Sequence, residues 1–175
     1  MADVPLVTLR TRTNIDLDML YRIAADLDTW EERNSLEPRP LTRARFEERL
    51  ATRDASEQSA SFVIDVDGVG VGSAALFGFD TFVHHAEIGI NLVPEARGRG
   101  VGTAAIDLLV EFGFVRLNLR RIHLQVISSN AGALRSYEKA GFITEGRQRE
   151  HAWVRGTYED IVLMAIMRSD QPKSS

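Results

Sequence analysis

The run Arg97-Gly98-Arg99-Gly100-Val101-Gly102-Thr103 lies between an apolar strand-like segment and a long amphipathic one. Glycine at 98, 100 and 102 leaves three backbone N–H groups with no Cβ in front of them, so an anion can approach the main chain closely. The helix that follows opens with unpaired N–H groups and the positive end of its dipole, and Arg97 and Arg99 add full charges. The chemistry is that of a phosphate or pyrophosphate cradle. Two better-known phosphate loops do not fit: the string G-x-x-x-x-G-K-[ST] is absent, and Thr103 stands where G-x-G-x-x-G requires its third glycine.

Other residue types point to proton transfer. Tyr137 follows Asn130 by seven positions, which on a helix brings both to nearly the same azimuth. A phenol with a pKa of ~10 is protonated at neutral pH and is a candidate general acid; a core tyrosine is the alternative reading. Glu87 alternates with Ile88 and Ile90 and so faces away from them, where it is a candidate base or a paired surface carboxylate. As a base for an ammonium, a carboxylate of pKa ~4.3 needs burial or a water chain. Of the four histidines, His84 and His85 point to opposite strand faces and no pair has i, i+4 helical spacing. No metal is therefore expected. His123 alternates with Ile122 and Leu124 on a strand and either packs there or lies near a substrate. The segment Asp26 to Glu32 sets acids beside Trp30, so Trp30, Glu31 and Glu32 suit a cationic substrate, or form a solvated helix end diluted by Arg33, Arg39, Arg43 and Arg45.

The bulk properties bound these readings. With 175 residues, 44% of them hydrophobic, the chain suits one well-buried domain. A net charge of -4 does not point to a nucleic-acid partner. The absence of cysteine excludes disulfides, thiolate metal sites and a cysteine nucleophile. The first twelve residues lack the pattern of a signal peptide and no apolar run is long enough to span a membrane, so a soluble cytoplasmic protein is expected.

The elements follow from periodicity. Val4 to Arg10 reads as a strand, and Thr13-Asn14-Ile15-Asp16 as a helix start, with Leu17, Leu20, Ile23, Ala24 and Leu27 forming one helical stripe. Thr42 caps a short second helix carrying Phe46 and Leu50. Strands at 61–67, 70–79 and 85–93 follow, with Asp67-Gly68 as a hairpin turn and Pro94 as a stop. Val101, Ala105, Leu108, Leu109, Phe112 and Val115 define the most regular helix. A strand at 121–127, a helix at 131–140 capped by Asn130 and Gly141, and strands at 142–153 and 157–167 around Arg155-Gly156 complete the order βααβββαβαββ. This is an α/β (α+β) fold with a mixed, mostly antiparallel sheet of seven strands and about four helices over residues 4–168, and residues 169–175 form a polar tail.

This order, with Arg97-x-x-Gly100-x-Gly102, Glu87-Ile88-Gly89-Ile90 before Pro94-Glu95, and Asn130-Ala131-Gly132-Ala133-Leu134-Arg135-Ser136-Tyr137-Glu138-Lys139-Ala140-Gly141-Phe142, resembles the GNAT N-acetyltransferase superfamily. Glu145-Gly146 and Gly156-x-Tyr158-x-Asp160 resemble its branch of RimJ/RimL-type ribosomal-protein N-terminal acetyltransferases and spermidine acetyltransferases. The resemblance implies acetyl-CoA as donor and a primary amine as acceptor, either a protein N-terminus or a small amine such as a polyamine. It implies a splay between the strand ending at Leu92 and Val93 and the strand starting at Arg121, with the pantetheine arm in the gap. Asn91, Leu92, Val93, Arg97, Gly98, Arg99, Gly100, Val101, Gly102, Thr103, Asn130, Ala133, Ser136, Tyr137 and Lys139 would then hold the cofactor, Tyr137 would protonate the thiolate and Glu87 or water would take the amine proton. Members of the family often form homodimers or larger rings. A sensor that binds acyl-CoA without chemistry is the reading of a different class.

Overall fold

The computed structural model describes residues 6–33 and 36–171. Its elements are β1 (Val7–Arg10), α1 (Leu17–Ala25), α2 (Leu27–Arg33), α3 (Arg43–Asp54), β2 (Ser59–Val66), β3 (Val69–Asp80), β4 (His85–Leu92), α4 (Val101–Glu111), β5 (Arg121–Ile127), α5 (Ala131–Lys139), β6 (Ile143–Val154) and β7 (Thr157–Met167). One seven-stranded sheet has the order β1-β2-β3-β4-β5-β7-β6. Every pairing is antiparallel except β4 with β5. β7 inserts between β5 and β6, so the unit β5-α5-β6 does not set its two strands side by side.

Both hairpin signals form as read. Asp67 and Gly68 have φ of 53° and 87°, and Arg155 and Gly156 have 47° and 87°, the doubly left-handed geometry that matches strand twist. Alternation then divides the sheet's faces. Ile64 joins Leu76, Ile106, Leu109, Ile122, Met164 and Ile166 in the main core under α4 and α5, whereas its neighbour Val63 packs with Leu20 and Phe46 of α1 and α3. Even-numbered residues of β4, such as Ala86 and Ile88, belong to the α4 and α5 side. Val93 packs instead with Ile23 of α1, so the odd-numbered His85, Glu87, Gly89 and Asn91 face the opposite side.

Three expectations change. The first stripe is interrupted at Asp26, whose ψ of 111° ends α1, and Leu27 begins a separate α2 with its side chain exposed. Among the described residues there are thus five α-helices rather than about four. The helix stripe assigned as far as Val115 fails there, because α4 passes into a π-helical turn at Phe112–Arg116 that rotates Val115 into solvent. Gly113 permits this close packing: a Cβ there would lie 2.9 Å from Ile122 and 3.0 Å from Leu76. Finally, the strand expected from Val4 begins at Val7 among the described residues, and positions 4 and 5 lie outside them. At the other end Arg168–Asp170 form a single 3-10 turn, so the polar tail starts with order, and residues 172–175 are outside the description. No helix among the described residues is long and apolar enough to cross a membrane.

Candidate active site

β4 and β5 pair only through His85 with Arg121, Ala86 with Ile122 and Glu87 with His123. β4 nevertheless continues to Leu92 and β5 to Ile127. The two strands therefore part beyond Glu87, which is the splay the resemblance implies. On the β3 side, the Val93 N–H donates to the Val71 carbonyl at 2.9 Å. By alternation Glu87, Gly89 and Asn91 also turn their main-chain groups to β3, while Ile90 and Leu92 turn theirs into the gap. Of the expected trio Asn91, Leu92 and Val93, Leu92 alone thus offers its amide to the gap. Ile90 joins it, and strand parity is the signal that would have found it.

The glycine loop leaves the C-terminal end of β4 and enters α4. Gly98 and Gly100 have φ of 72° and 81°, and the position of a Cβ at either has no heavy atom within 4 Å. Their requirement is conformational, and the space in front of them is open. Gly100 is the N-cap of α4, so the amides of Val101, Gly102 and Thr103 point out of its first turn. A Cβ on Gly102 would lie 3.6 Å from Leu92 and 3.8 Å from the Ser136 hydroxyl, which places β4, the loop and α5 side by side. The Arg97 guanidinium turns aside: Nε donates to the Leu92 carbonyl at 3.2 Å, Nη1 to Glu32 and Nη2 to Thr29, both at 3.4 Å. Arg99 is exposed on the loop.

α5 begins at Asn130, whose Oδ1 accepts from the Ala133 N–H at 3.1 Å while its Nδ2 donates to the Glu32 carbonyl at 3.2 Å. The capping amide thereby fixes the end of α2 against the start of α5. Ser136 donates to the Gly132 carbonyl at 3.0 Å, and Lys139 is exposed in the last turn. Tyr137 is buried, its ring edge-on to Phe142 at 5.4 Å. Among the described residues its hydroxyl has no hydrogen-bond partner. Burial, and secondly the negative charge of Glu87, push the phenol above its ordinary pKa. That coupling places the two groups within electrostatic reach of one another.

Glu87 is half-buried, and burial raises its carboxyl above the usual range. Phe77, paired with Glu87 across β3 and β4, extends its ring over Gly89, to 3.2 Å from where a Cβ would stand. Nothing in the local pattern of Phe77 marks it as the cover of Gly89, so the sequence does not disclose it. His123 is in register with Glu87 and on the same face.

The acids of α2 are less free than the sequence implied. Arg155, at the turn between β6 and β7, lies 3.1 Å from Glu32, 3.7 Å from Asp28 and 4.0 Å from Glu31. Glu32 also holds Arg97 at 3.4 Å. Trp30 turns the other way, donating from Nε1 to the Leu36 carbonyl at 3.1 Å and lining a cavity of about 370 Å³ with Leu41, Arg39 and Arg49.

A parallel strand pair thus opens beside a glycine-rich helix start, with a buried phenol and a half-buried carboxylate in electrostatic reach of one another. A family model described as an acetyltransferase (GNAT) domain matches residues 7–143, and the chain belongs to that family. It is 33% identical to the spermidine N(1)-acetyltransferase of Escherichia coli K12 over 115 residues, 66% of this chain and 61% of that protein. The chain thus spans about three fifths of that relative. It is also 33% identical to the probable N-acetyltransferase YjcK of Bacillus subtilis over 126 residues, 71% of this chain and 68% of the relative. The crystal structure of a Vibrio cholerae spermidine N-acetyltransferase with CoA and spermine superposes with a TM-score of 0.86 at 26% identity, covering 94% of this chain and 96% of the other. RimJ of Mycobacterium smegmatis, solved with CoA-disulfide, shares the fold with a TM-score of 0.84 at 24% identity over 96% of this chain and 85% of its own.

Proposed function

We propose that this chain transfers an acetyl group from acetyl-CoA to a primary amine. The observation that carries the reading is the parting of β4 and β5 beyond Glu87 and His123, beside the open glycine-rich start of α4. The residues present fit the donor: open space faces Gly98 and Gly100, helix-start amides follow, and Ile90 and the Leu92 N–H face the gap where an extended arm would lie. When bound, acetyl-CoA supplies a thioester as acyl donor. The loop at 97–103 and Arg99 hold the pyrophosphate, and the gap amides orient the arm and polarise the carbonyl. Glu87 takes a proton from the attacking nitrogen and Tyr137 gives one to sulfur.

Thiol release measured with a panel of amines and N-terminal peptides tests this reading. Saturable release that depends on both substrates supports it. Acetyl-CoA binding with no release for any amine would instead favour the acyl-CoA sensor. Gly100→Ala is expected to raise KM for acetyl-CoA by roughly tenfold, because the left-handed φ of 81° costs a side chain ~1–2 kcal/mol and distorts the cradle; an unchanged KM would remove the loop from the binding site.

For the acceptor, the engagement of Asp28, Glu31 and Glu32 by Arg155 favours an amine with one charge, such as a protein N-terminus or a small monoamine. A polyamine is the second reading, favoured by the spermidine acetyltransferases among the relatives. If the monoamine reading holds, Arg155→Ala releases Asp28 and Glu31, leaves Glu32 with Arg97 alone, and lowers KM for spermidine by roughly fivefold. An unchanged spermidine KM in that variant would detach the acidic helix from acceptor choice.

A further inference from the structure

Beyond Glu87 the main chain of β4 runs beside a gap that β5 has left, and Leu92 is the last residue of the strand. A carbonyl turned to that gap needs a donor that no neighbouring strand supplies. For Leu92 the Arg97 Nε provides it at 3.2 Å, so the side chain that opens the glycine loop folds back over the end of β4.

α2 holds the other two nitrogens. Nη2 donates to the Thr29 hydroxyl oxygen and Nη1 to the Glu32 carboxylate, both at 3.4 Å. Thr29 is buried, and its hydroxyl donates onward to Asp26, which also accepts from the Asp28 N–H at 3.2 Å. The Thr29 hydroxyl, first among these donors, holds the Asp26 carboxyl below its usual range. Asp26 is therefore ionised at neutral pH, the hydroxyl proton stays directed at it, and the lone pairs of the oxygen are left to Arg97. Glu32 reaches the other strand as well. Its carbonyl accepts at 3.2 Å from the Asn130 Nδ2, just beyond the end of β5. Its carboxylate also accepts from Arg155 at 3.1 Å, which ties in the turn between β6 and β7.

We infer that Arg97 and Glu32 brace the mouth of the splay, joining the end of β4 to the end of β5 through α2, and that the Arg97 side chain is a positioning residue rather than a phosphate ligand. The inference rests on the donor reading above. A guanidinium gripping phosphate would turn to the open space before Gly98 and Gly100, whereas all three nitrogens of Arg97 bond to Leu92, Thr29 and Glu32. Arg99 and the amides that open α4 remain for the phosphates. With the Arg97 side chain 41% exposed and that of Glu32 38%, their ion pair alone is weak, and the brace depends on its several anchors together. What it fixes is the edge along which Ile90 and Leu92 meet the pantetheine arm.

The test is calorimetric titration of Arg97→Met and Glu32→Gln with CoA, and with adenosine diphosphate as a pyrophosphate that lacks the arm. Arg97→Met is expected to raise the Kd for CoA by roughly fivefold and to leave that for adenosine diphosphate within about twofold. Glu32→Gln keeps the main-chain bond to Asn130 and weakens CoA binding in the same direction by roughly threefold. The double variant binds CoA no more weakly than Arg97→Met, since both changes break one connection. A phosphate-gripping Arg97 gives the opposite pattern: Arg97→Met weakens both ligands alike, and Glu32→Gln, which removes a competing carboxylate, tightens both. That pattern, or unchanged CoA binding in Arg97→Met, overturns the brace. The sign of the Glu32→Gln change decides between the two even where Arg97→Met fails to fold. A wild type that binds CoA and acetylates no amine removes the transfer reading and leaves the brace to stand on the CoA titrations; one that binds no CoA overturns both.

Discussion

Tyr137→Phe is expected to lower kcat for acetyl transfer by about 10²–10³-fold while leaving KM for acetyl-CoA within about twofold. The phenol hydroxyl has no protein partner among the described residues, so its removal leaves no orphaned group behind. Phenylalanine keeps the edge contact to Phe142 at 5.4 Å, and the thermal midpoint should not move. The raised pKa has two causes, burial and then Glu87, and they act differently during turnover. Burial disfavours the phenolate, but it disfavours a thiolate formed in the same gap as well, so it does not by itself set the two acids apart. The Glu87 contribution is conditional. Once Glu87 has taken the amine proton its charge is gone, and Tyr137 becomes a stronger acid at the moment sulfur needs a proton. A single charge thus couples the two proton transfers in time. Steady-state kinetics with thiol detection would sink this assignment if kcat of the variant stayed within a factor of about three of the wild type.

The same prediction shows what the sequence could and could not disclose. Strands and hairpins were legible because alternation and the dipeptides Asp67-Gly68 and Arg155-Gly156 impose a local geometry that nothing distant overrides. β5 and β7 match their expected bounds residue for residue. Asn130 was legible as a cap for the same reason, since the bond to the Ala133 N–H spans only three residues. Errors arose where tertiary packing set the backbone. Leu27 has the right spacing for the first helix, yet the chain breaks at Asp26 so that α2 can reach β5, β6 and Asn130. Val115 has the right spacing for α4, yet Gly113 pressed against Ile122 and Leu76 replaces the α turn with a π turn. In the site, residue types named Tyr137 and Glu87, but the gap beside Glu87 depends on two strands parting. Pairing that stops at Glu87 has no local sequence signature, because the residues beyond it alternate as an ordinary strand. Which amides face the gap, and hence the place of Ile90, follows only once the β3 register is known.

Arg10→Met is expected to destabilise the fold by about 3–5 kcal/mol, a fall in Tm of roughly 10 °C, and to remove much of its sensitivity to acid. Arg10 joins three elements. Its Nη1 and Nη2 donate to the two oxygens of Asp16, each at 2.8 Å, and its Nε donates to Asp65 at 2.7 Å. Both carboxylates are buried, and each has further donors: the Thr13 N–H to Asp16 at 2.8 Å and the Gly68 N–H to Asp65 at 2.7 Å. Methionine retains the aliphatic stem but strands two buried negative charges, the costly half of a broken ion pair. Arg10 is the first cause that holds the Asp16 carboxyl down, from 3.8 to about 2. Because the folded pKa lies below the unfolded one, the contribution is complete above pH 3.8 and is lost as pH falls through about 2. Its size is about 2 kcal/mol. In Arg10→Met the carboxyl loses its main stabiliser, so stability should change little across that window while being lower at neutral pH. Gly70→Ala attacks the same clamp from the other side, since a Cβ there would stand 2.7 Å from the Asp16 carboxylate and 3.3 Å from Arg10. The consequence reaches the active site. Asp16 starts α1, and α1 packs Ile23 against Val93 and Ala96 and sets Arg22 against Glu95, beneath the glycine loop. Partial loss of the clamp should therefore raise KM for acetyl-CoA before the protein unfolds. Denaturant unfolding of the wild type and Arg10→Met across the acid range decides it: equal stability at neutral pH, or equal acid dependence, would refute the role of Arg10.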